Sequence, residues 1–201
     1  MIADQVPQAR PAESVLVEAL GRNSIVLVGM MGAGKSSVGR KLGMRLALPF
    51  VDADTEIEAA AGMSIPEIFQ ARGEAEFRAG EARVIARLLE SGPQVLATGG
   101  GAFMNADTRR LIVQKGISIW LRAEFDVLMR RIRRRNDRPL LLTANPEATL
   151  LALIEQRYPV YRLADLTIDS RDVLHDVIVD EAVTALLEYL KVSTADRSAQ
   201  P

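Results

Sequence analysis

Residues 29–36 have the spacing G-x-x-x-x-G-K-[ST], which is the pattern of a phosphate-binding loop. The apolar run 25–28 precedes the loop like a buried strand, and a segment with helical periodicity follows it. Glycines in such a loop let several backbone N–H groups face one anion, and the N-terminus of the next helix adds its positive dipole end. Lys35 would reach the β- and γ-phosphates, and the Ser36 hydroxyl would ligate Mg²⁺. The pattern predicts nucleoside triphosphate binding; a glycine-rich turn that matches by chance is the weaker alternative.

Two carboxylates, Asp52 and Asp54, come at the end of a second short apolar run. If strand geometry persists there, both side chains point the same way. One carboxylate would help to hold a hydrated Mg²⁺ beside Ser36, and the other would accept a hydrogen bond from a substrate hydroxyl. The alternative is a helix N-cap at Asp54 or Thr55, and taken alone the two interpretations are about equally supported.

Three consecutive glycines, Gly99, Gly100 and Gly101, follow a third apolar run. Their backbone can approach a ligand closely, and their N–H groups can bind an oxygen. A flexible turn before a helix near Asn105 is the alternative. Because three glycines at a strand end carry a cost in backbone entropy, the pattern favours a site that needs the space.

Arginines supply most of the remaining candidate chemistry. Arg78 and Glu81 are three residues apart and share one face of a predicted helix, which alone is more typical of a surface ion pair worth under about 1 kcal/mol. Arg157, taken alone, is also more typical of a surface charge. The run 130–135, followed by Arg138 and Pro139, resembles a lid that carries cations to a phosphate. A solvated helix face and nucleic-acid binding are its alternatives.

Length and composition limit the classes of protein that fit. The chain has 201 residues, 48% hydrophobic and 25% charged, which suits one α/β domain with its own core. Its net charge of −1 gives no global case for binding nucleic acid or an anionic membrane. The absence of cysteine excludes disulfides and thiolate chemistry, and the single His175 is more consistent with a surface or capping role. Without a membrane-spanning run or secretory signal, the cytoplasm is the expected location.

Strand-like and helix-like segments alternate along the chain, which predicts a parallel sheet covered on both faces by helices. The polar motifs follow successive strands, where open α/β sheets bind their ligands. We expect an N-terminal extension at 1–22, one domain at 23–190 and a disordered tail at 191–201. The predicted strands are 24–29, 50–52, 95–98, 117–121 and 166–168. The predicted helices are 35–46, 65–72, 75–89, 106–115, 125–134, 147–161 and 177–190, with a further short helix possible at 14–20.

From about residue 24 to residue 190 the chain resembles the shikimate kinase family. The motifs that carry this resemblance occur in the family's order: GMMGAGKSSVGRKL, FVDADTEIE, GMSIPEIFQARGEAEFRAGE, ATGGGAF, WLRA, RPLL and RYPVYRLAD. The resemblance implies the P-loop fold of the nucleoside monophosphate kinases. That fold is a three-layer sandwich with a five-stranded parallel sheet of order 2-3-1-4-5 and a mobile lid at about 131–145. The implied reaction is transfer of the ATP γ-phosphoryl group to the 3-hydroxyl of shikimate, on the route to chorismate and the aromatic amino acids.

The resemblance also implies roles for individual residues. The implied catalytic residues are Lys35, Asp54 as proton acceptor, and the lid arginine Arg138. The implied ATP-binding residues are Gly32, Ala33, Gly34, Lys35, Ser36, Ser37, Arg131, Arg138 and Arg171. Ser36 and Asp52 would serve Mg²⁺, the second through water. The implied shikimate-binding residues are Asp54, Phe69, Phe77, Arg78, Gly99, Gly100, Gly101 and Arg157, with Glu81 orienting Arg78.

The expected partners are ATP and shikimate, with Mg²⁺ as cofactor, no nucleic acid, no membrane and a monomeric state. Three alternatives remain at this point. One is a kinase for another small hydroxy acid such as gluconate, and one is a non-catalytic module that binds nucleotide or shikimate. The third is nucleic-acid binding through the arginine run.

Overall fold

The computed structural model describes residues 11–133 and 145–197. Arg138 and most of the expected lid lie outside the described residues. The described part contains one five-stranded sheet, with strands β1 Ser24–Val28, β2 Phe50–Asp52, β3 Val95–Ala97, β4 Gly116–Arg122 and β5 Leu166–Asp169. All strand pairs are parallel, and the order β2-β3-β1-β4-β5 confirms the predicted one.

Eight α-helices surround this sheet in the described ranges: α1 Pro11–Leu20, α2 Lys35–Leu46, α3 Ala53–Ala61, α4 Ile65–Glu90, α5 Ala106–Lys115, α6 Phe125–Arg133, α7 Pro146–Tyr161 and α8 His175–Arg197. A single 3₁₀ turn, Ala102–Met104, precedes α5. α2 packs with α1 and α8, while α4 packs with α5, which gives the three-layer arrangement. No described helix has the length and apolar character that crossing a bilayer requires.

Helices α3 and α8 differ most from the sequence prediction. Helix α3 is absent from the predicted helices; it begins directly after β2 because Asp52 caps its first turn. α4 is interrupted at Gly73, whose backbone is non-helical at φ 78° and ψ 172°, so its two parts correspond to the two predicted helices, 65–72 and 75–89. α4 starts at a capping box formed by Ser64 and Glu67. α8 extends to Arg197, beyond the predicted end at residue 190.

The core lies between the helix layers and β1, whose five residues are all buried, as expected for a central parallel strand. Helix α1 falls within the residues that the sequence analysis sets apart as an extension, yet its Leu16 and Leu20 are buried in this same core. A buried carboxylate of α1, Glu13, pairs with Arg45 of α2. The register aligns Asp52 and Leu27 with Ala97, so β2, β3 and β1 end at the same level. The loops after these three strands are therefore neighbours.

Candidate active site

The phosphate-binding loop connects β1 to the N-terminus of α2. Gly29, Gly32 and Gly34 have φ values of 137°, 81° and 90°, which residues other than glycine rarely adopt. Gly34 is also the N-cap of α2. Lys35 is largely buried, and its Nζ donates to the carbonyls of Gly29 and Met30 at 2.8 and 2.9 Å. The loop thus curls around the lysine ammonium at the end of a helix, as an anion site requires.

Asp52 links this loop to the second strand end. Its Oδ2 accepts a hydrogen bond from Ser36 Oγ at 2.6 Å, and its Oδ1 accepts one from the Asp54 N–H at 3.1 Å. Asp52 is therefore the N-cap of α3, so a cap at Asp54 or Thr55 is wrong. Strand geometry does not persist to Asp54, which lies in the first turn of α3. Both carboxylates nevertheless line the same cavities.

The three glycines after β3 stand against charged side chains. A Cβ atom on Gly99 would lie 2.5 Å from Glu81 Oε1 and 2.9 Å from Asp54 Oδ1. A Cβ atom on Gly101 would lie 2.4 Å from Arg78 Nη1. Any larger residue would displace these groups, so the glycines provide the space in which carboxylates and a guanidinium converge.

Glu81 holds Arg78 from the same helix, α4, at 2.8 Å. The Glu81 side chain is only 3% exposed, so this pair is not the surface ion pair that spacing alone favours. Burial raises the pKa of Glu81, and the nearby Asp54 raises it further, against the lowering effect of Arg78. Burial lowers the pKa of Arg78, but the carboxylates of Glu81 and Glu74 raise it by more, so the pKa of Arg78 lies above its ordinary value. Glu81 Oε1 has no hydrogen-bond partner among the described residues.

Helix α7 fixes the middle glycine through one carbonyl. Arg157, which is buried, donates from Nη1 to the Gly100 oxygen at 3.0 Å, and the Tyr161 hydroxyl donates to the same oxygen. Burial raises the pKa of Tyr161 to about 12, so this hydroxyl keeps its proton at physiological pH. The guanidinium of Arg157 is therefore held beside the glycine turn.

An apolar wall faces these charges. The rings of Phe69 and Phe77 lie 4.6 Å apart between centroids. Phe77 belongs to a small buried cluster with Ile57 and Ile68, against which Phe69 packs. The guanidinium carbon of Arg78 lies 5.0 Å from the centroid of the Phe77 ring. This subcore of α3 and α4 is separate from the main core and shapes one side of the site.

Two further predicted arginines are Arg131, from the expected lid, and Arg171, from the loop after β5. Arg131 lies at the end of the site that contains the phosphate-binding loop. Arg131 donates to the carbonyl of Gly32 at 3.3 Å and to Ser170 Oγ at 2.9 Å. The structure does not bring Arg171 to the cavity that Arg131 lines; its guanidinium pairs with Glu181 instead. The described arginines of the run 130–135 pair with carboxylates: Arg130 and Arg131 with Asp172, and Arg133 with Glu147.

Two adjoining cavities result, of about 370 and about 340 Å³. They share a lining of Met31, Ser36, Asp52, Asp54 and Gly100. The first contains all eight residues predicted to bind the acceptor: Asp54, Phe69, Phe77, Arg78, Gly99, Gly100, Gly101 and Arg157. The second contains Gly32, Gly34, Lys35, Ser36, Ser37 and Arg131 of the predicted nucleotide set. Ala33, although part of the loop, is fully buried and lines neither cavity.

Some lining residues are missing from the sequence prediction. His175, the first residue of α8, lines the second cavity, although the sequence suggests only a surface or capping role. No local signal identifies it, because the packing of α8 against the phosphate loop brings it there. Ile65 and Pro66 line the first cavity, and their place within the segment GMSIPEIF is a signal that could have identified them.

Comparisons with known proteins point to one family. A family model described as shikimate kinase matches residues 31–187. A shikimate kinase from Bradyrhizobium diazoefficiens is 62% identical over 96% of this chain and 92% of its own length. One from Rhodopseudomonas palustris is 60% identical over 94% of this chain and 95% of its own. The solved structure of shikimate kinase from Acinetobacter baumannii in complex with shikimate is 38% identical, with a TM-score of 0.81 over 86% of this chain and 97% of that chain.

Proposed function

The chain belongs to the shikimate kinase family, and from this premise we propose that it transfers the γ-phosphoryl group of ATP to the 3-hydroxyl of shikimate. The products are 3-phosphoshikimate and ADP, on the route to chorismate and the aromatic amino acids. One observation carries the proposal to this chain. The cavity at the phosphate-binding loop adjoins the cavity that contains Arg78 and Arg157, and Asp54 lines both. A kinase of another acid such as gluconate, or a silent binding module, is not favoured.

In the proposed roles the phosphate loop binds the nucleotide. Backbone amides at residues 32–37 and the Lys35 ammonium would bind the β- and γ-phosphates. The positive charge of Lys35 would also offset the charge that develops on the transferred group. Arg131, at the base of the expected lid, would contact the nucleotide from the other side of the cavity. Arg171 is not retained in this role because it pairs with Glu181.

The first cavity would bind the acceptor. Arg78 and Arg157 would bind its carboxylate, since a planar guanidinium fork suits that anion. Phe69 and Phe77 would pack against the ring. In the transfer step the acceptor hydroxyl oxygen forms a bond to the γ-phosphorus while the bond to the β–γ bridging oxygen breaks. The hydroxyl proton passes to Asp54, and ADP leaves with the bridging oxygen.

The oxygens of Ser36 and Asp52 fit the preference of Mg²⁺, which binds through one or two protein oxygens together with water and substrate phosphates. Among the described residues no group of three or more potential ligands forms a dedicated metal cage. Ser36 and Asp52 are therefore the residues that would hold the ion. When bound, Mg²⁺ supplies positive charge to the phosphates.

Arg138 would reach the γ-phosphate when the lid at about 131–145 closes, which would also exclude water. This residue lies outside the described residues, so its role stays a prediction from the resemblance. We propose the cytoplasm as location and a monomer as the working state. The carboxylate partners of Arg130, Arg131 and Arg133 leave little support for nucleic-acid binding through the described part of that run.

Shikimate-dependent ADP formation, followed by a coupled assay, tests the proposal. Gluconate and other hydroxy acids serve as comparison acceptors, and Lys35→Ala serves as the inactive control. We expect ADP release with ATP, Mg²⁺ and shikimate together and not when shikimate is omitted. Release with another acid in its place would reassign the acceptor. Nucleotide binding with no shikimate-dependent release would support the silent module.

A further inference from the structure

Two carbonyls of the phosphate loop accept hydrogen bonds from outside it, one from the loop that follows β5 and one from helix α6. Ser170 Oγ donates to the Ala33 carbonyl at 2.7 Å, and Arg131 Nη1 contacts the Gly32 carbonyl at 3.3 Å. We propose that Ser170 is a positioning residue that fixes the Ala33–Gly34 peptide and so directs the Gly34 N–H towards the nucleotide phosphates. The inference rests on the proposed nucleotide binding at this loop.

Peptide geometry sets the direction of the Gly34 N–H. In a trans peptide the C=O of one residue and the N–H of the next lie in one plane and point in opposite directions. Because the Ala33 carbonyl points out of the loop towards Ser170, the Gly34 N–H must point into it. Ala33 is fully buried, so without Ser170 its carbonyl would lose the hydrogen-bond partner that a buried backbone group needs.

Ser170 is itself fixed on both sides. Its N–H donates to the Arg122 carbonyl at 2.6 Å, which anchors it to the end of β4. Its Oγ accepts from Arg131 Nη1 at 2.9 Å, so its own hydroxyl hydrogen is left for Ala33. Arg131 also donates to the Arg171 carbonyl at 2.8 Å. The sheet and helix α6 therefore hold one serine rigidly behind the phosphate loop.

Ser170 acts on the nucleotide through this peptide and not by touching it. It is buried, with 4% of its surface exposed, and it is not among the residues that line either cavity. The group it orients, Gly34, is the N-cap of α2 and sits at φ 90°. A Cβ atom there would lie 3.8 to 3.9 Å from Arg131, His175 and Ser170. Removing the Ser170 hydroxyl should therefore lower the affinity for the phosphate groups, whether or not an adenosine is attached to them.

The experiment compares Ser170→Ala, Ser170→Thr and a control, Ser118→Ala. Ser118 is an equally buried serine whose hydroxyl both donates to and accepts from Asp165, away from either cavity. The measured quantities are the KM for ATP, the KM for shikimate and the inhibition constant of inorganic triphosphate. For Ser170→Ala we expect the KM for ATP and the inhibition constant of triphosphate to rise together, by about three- to tenfold, because one hydrogen bond is lost. The KM for shikimate should stay unchanged, Ser170→Thr should recover the wild-type values, and Ser118→Ala should leave both phosphate constants unchanged.

Unchanged triphosphate inhibition in Ser170→Ala would overturn the inference, as would an equal loss in Ser118→Ala. A rise for ATP without a rise for triphosphate would overturn it too, because it would place the effect on the adenosine. If Ser170→Ala does not fold, the Gly34 amide signal of the wild-type chain is followed by ¹⁵N NMR instead. This signal should shift when triphosphate is added and not when shikimate is added. The absence of the shift with triphosphate would refute the inference. If the wild-type chain forms no ADP with shikimate, the proposed function fails. Direct binding of inorganic triphosphate to the wild type and to Ser170→Ala, measured by calorimetry without turnover, then still tests Ser170: equal affinities would overturn the inference.

Discussion

Replacing Gly101 with alanine would place a methyl group 2.4 to 2.6 Å from three atoms of the Arg78 guanidinium. Gly101 has φ −103° and ψ −14°, which alanine adopts without strain, so the substitution acts only through this contact. Ordinary van der Waals contact begins near 3.4 Å. The guanidinium must therefore retreat by about 1 Å from the place where Glu81 holds it.

A shift of this size should weaken the proposed contact between Arg78 and the acceptor carboxylate. A hydrogen bond to a charged group contributes about 1.5 to 3 kcal/mol, and a misplacement of about 1 Å can remove most of it. We expect the KM for shikimate to rise by about 10- to 100-fold. The KM for ATP should stay near the wild-type value, because Gly101 does not line the phosphate-loop cavity.

The coupled ADP assay, run with Gly101→Ala, Arg78→Ala and the double variant, tests this reasoning. If alanine acts by displacing Arg78, it should add little once Arg78 has been removed. Unfolding temperatures of the three variants serve as the control for general damage. The reasoning is refuted if Gly101→Ala binds shikimate normally, or if its effect is as large without Arg78 as with it.

Three further outcomes are expected. Lys35→Ala should remove measurable turnover while circular dichroism still shows the fold; residual activity near wild type would contradict the charge role of the ammonium. Arg138→Ala should lower kcat by about 10²- to 10³-fold, and normal turnover would show the lid assignment to be wrong. Because burial raises the pKa of Glu81, its stabilising contribution is complete below the ordinary value of 4.5 and is lost as the pH rises through the raised value. Glu81→Gln lacks this loss, so the wild-type free energy of unfolding should fall relative to the variant's as the pH rises above 4.5, and parallel curves would exclude the effect.

Local patterns allowed most elements to be predicted from sequence. The helix at Lys35–Leu46 and the strand at Phe50–Asp52 were predicted to the residue, since each has its own periodicity and boundary signals. Helix α3 was not predicted, because D-A-D can be interpreted either as the continuation of a strand or as a cap. The structure shows that Asp52 ends the strand and caps the helix at once.

The residues of the first cavity could be predicted from the family resemblance more than from their spacing in the sequence. Arg78 and Arg157 are far apart in sequence, and each alone is more typical of a surface charge. Both come to one cavity because α4 and α7 pack around the glycine turn after β3. Ser170 and His175 could not be predicted, since more than 130 residues of sequence separate each from the loop that Ser170 bonds and whose cavity His175 lines. Their positions follow from how the segment after β5 packs, which no local pattern encodes.

Lys35 is held within the phosphate-binding loop by two carbonyls of that loop. Its long stem is therefore ordered when the chain folds, at an entropic cost of up to about 2 kcal/mol that reduces stability rather than affinity. An arriving anion does not have to recruit this ammonium from water. In the proposed binding step the cation would change partners, from neutral oxygens to charged ones, with its conformational freedom already lost. For this reason a loop of eight residues can select a polyphosphate without a large induced rearrangement of its own.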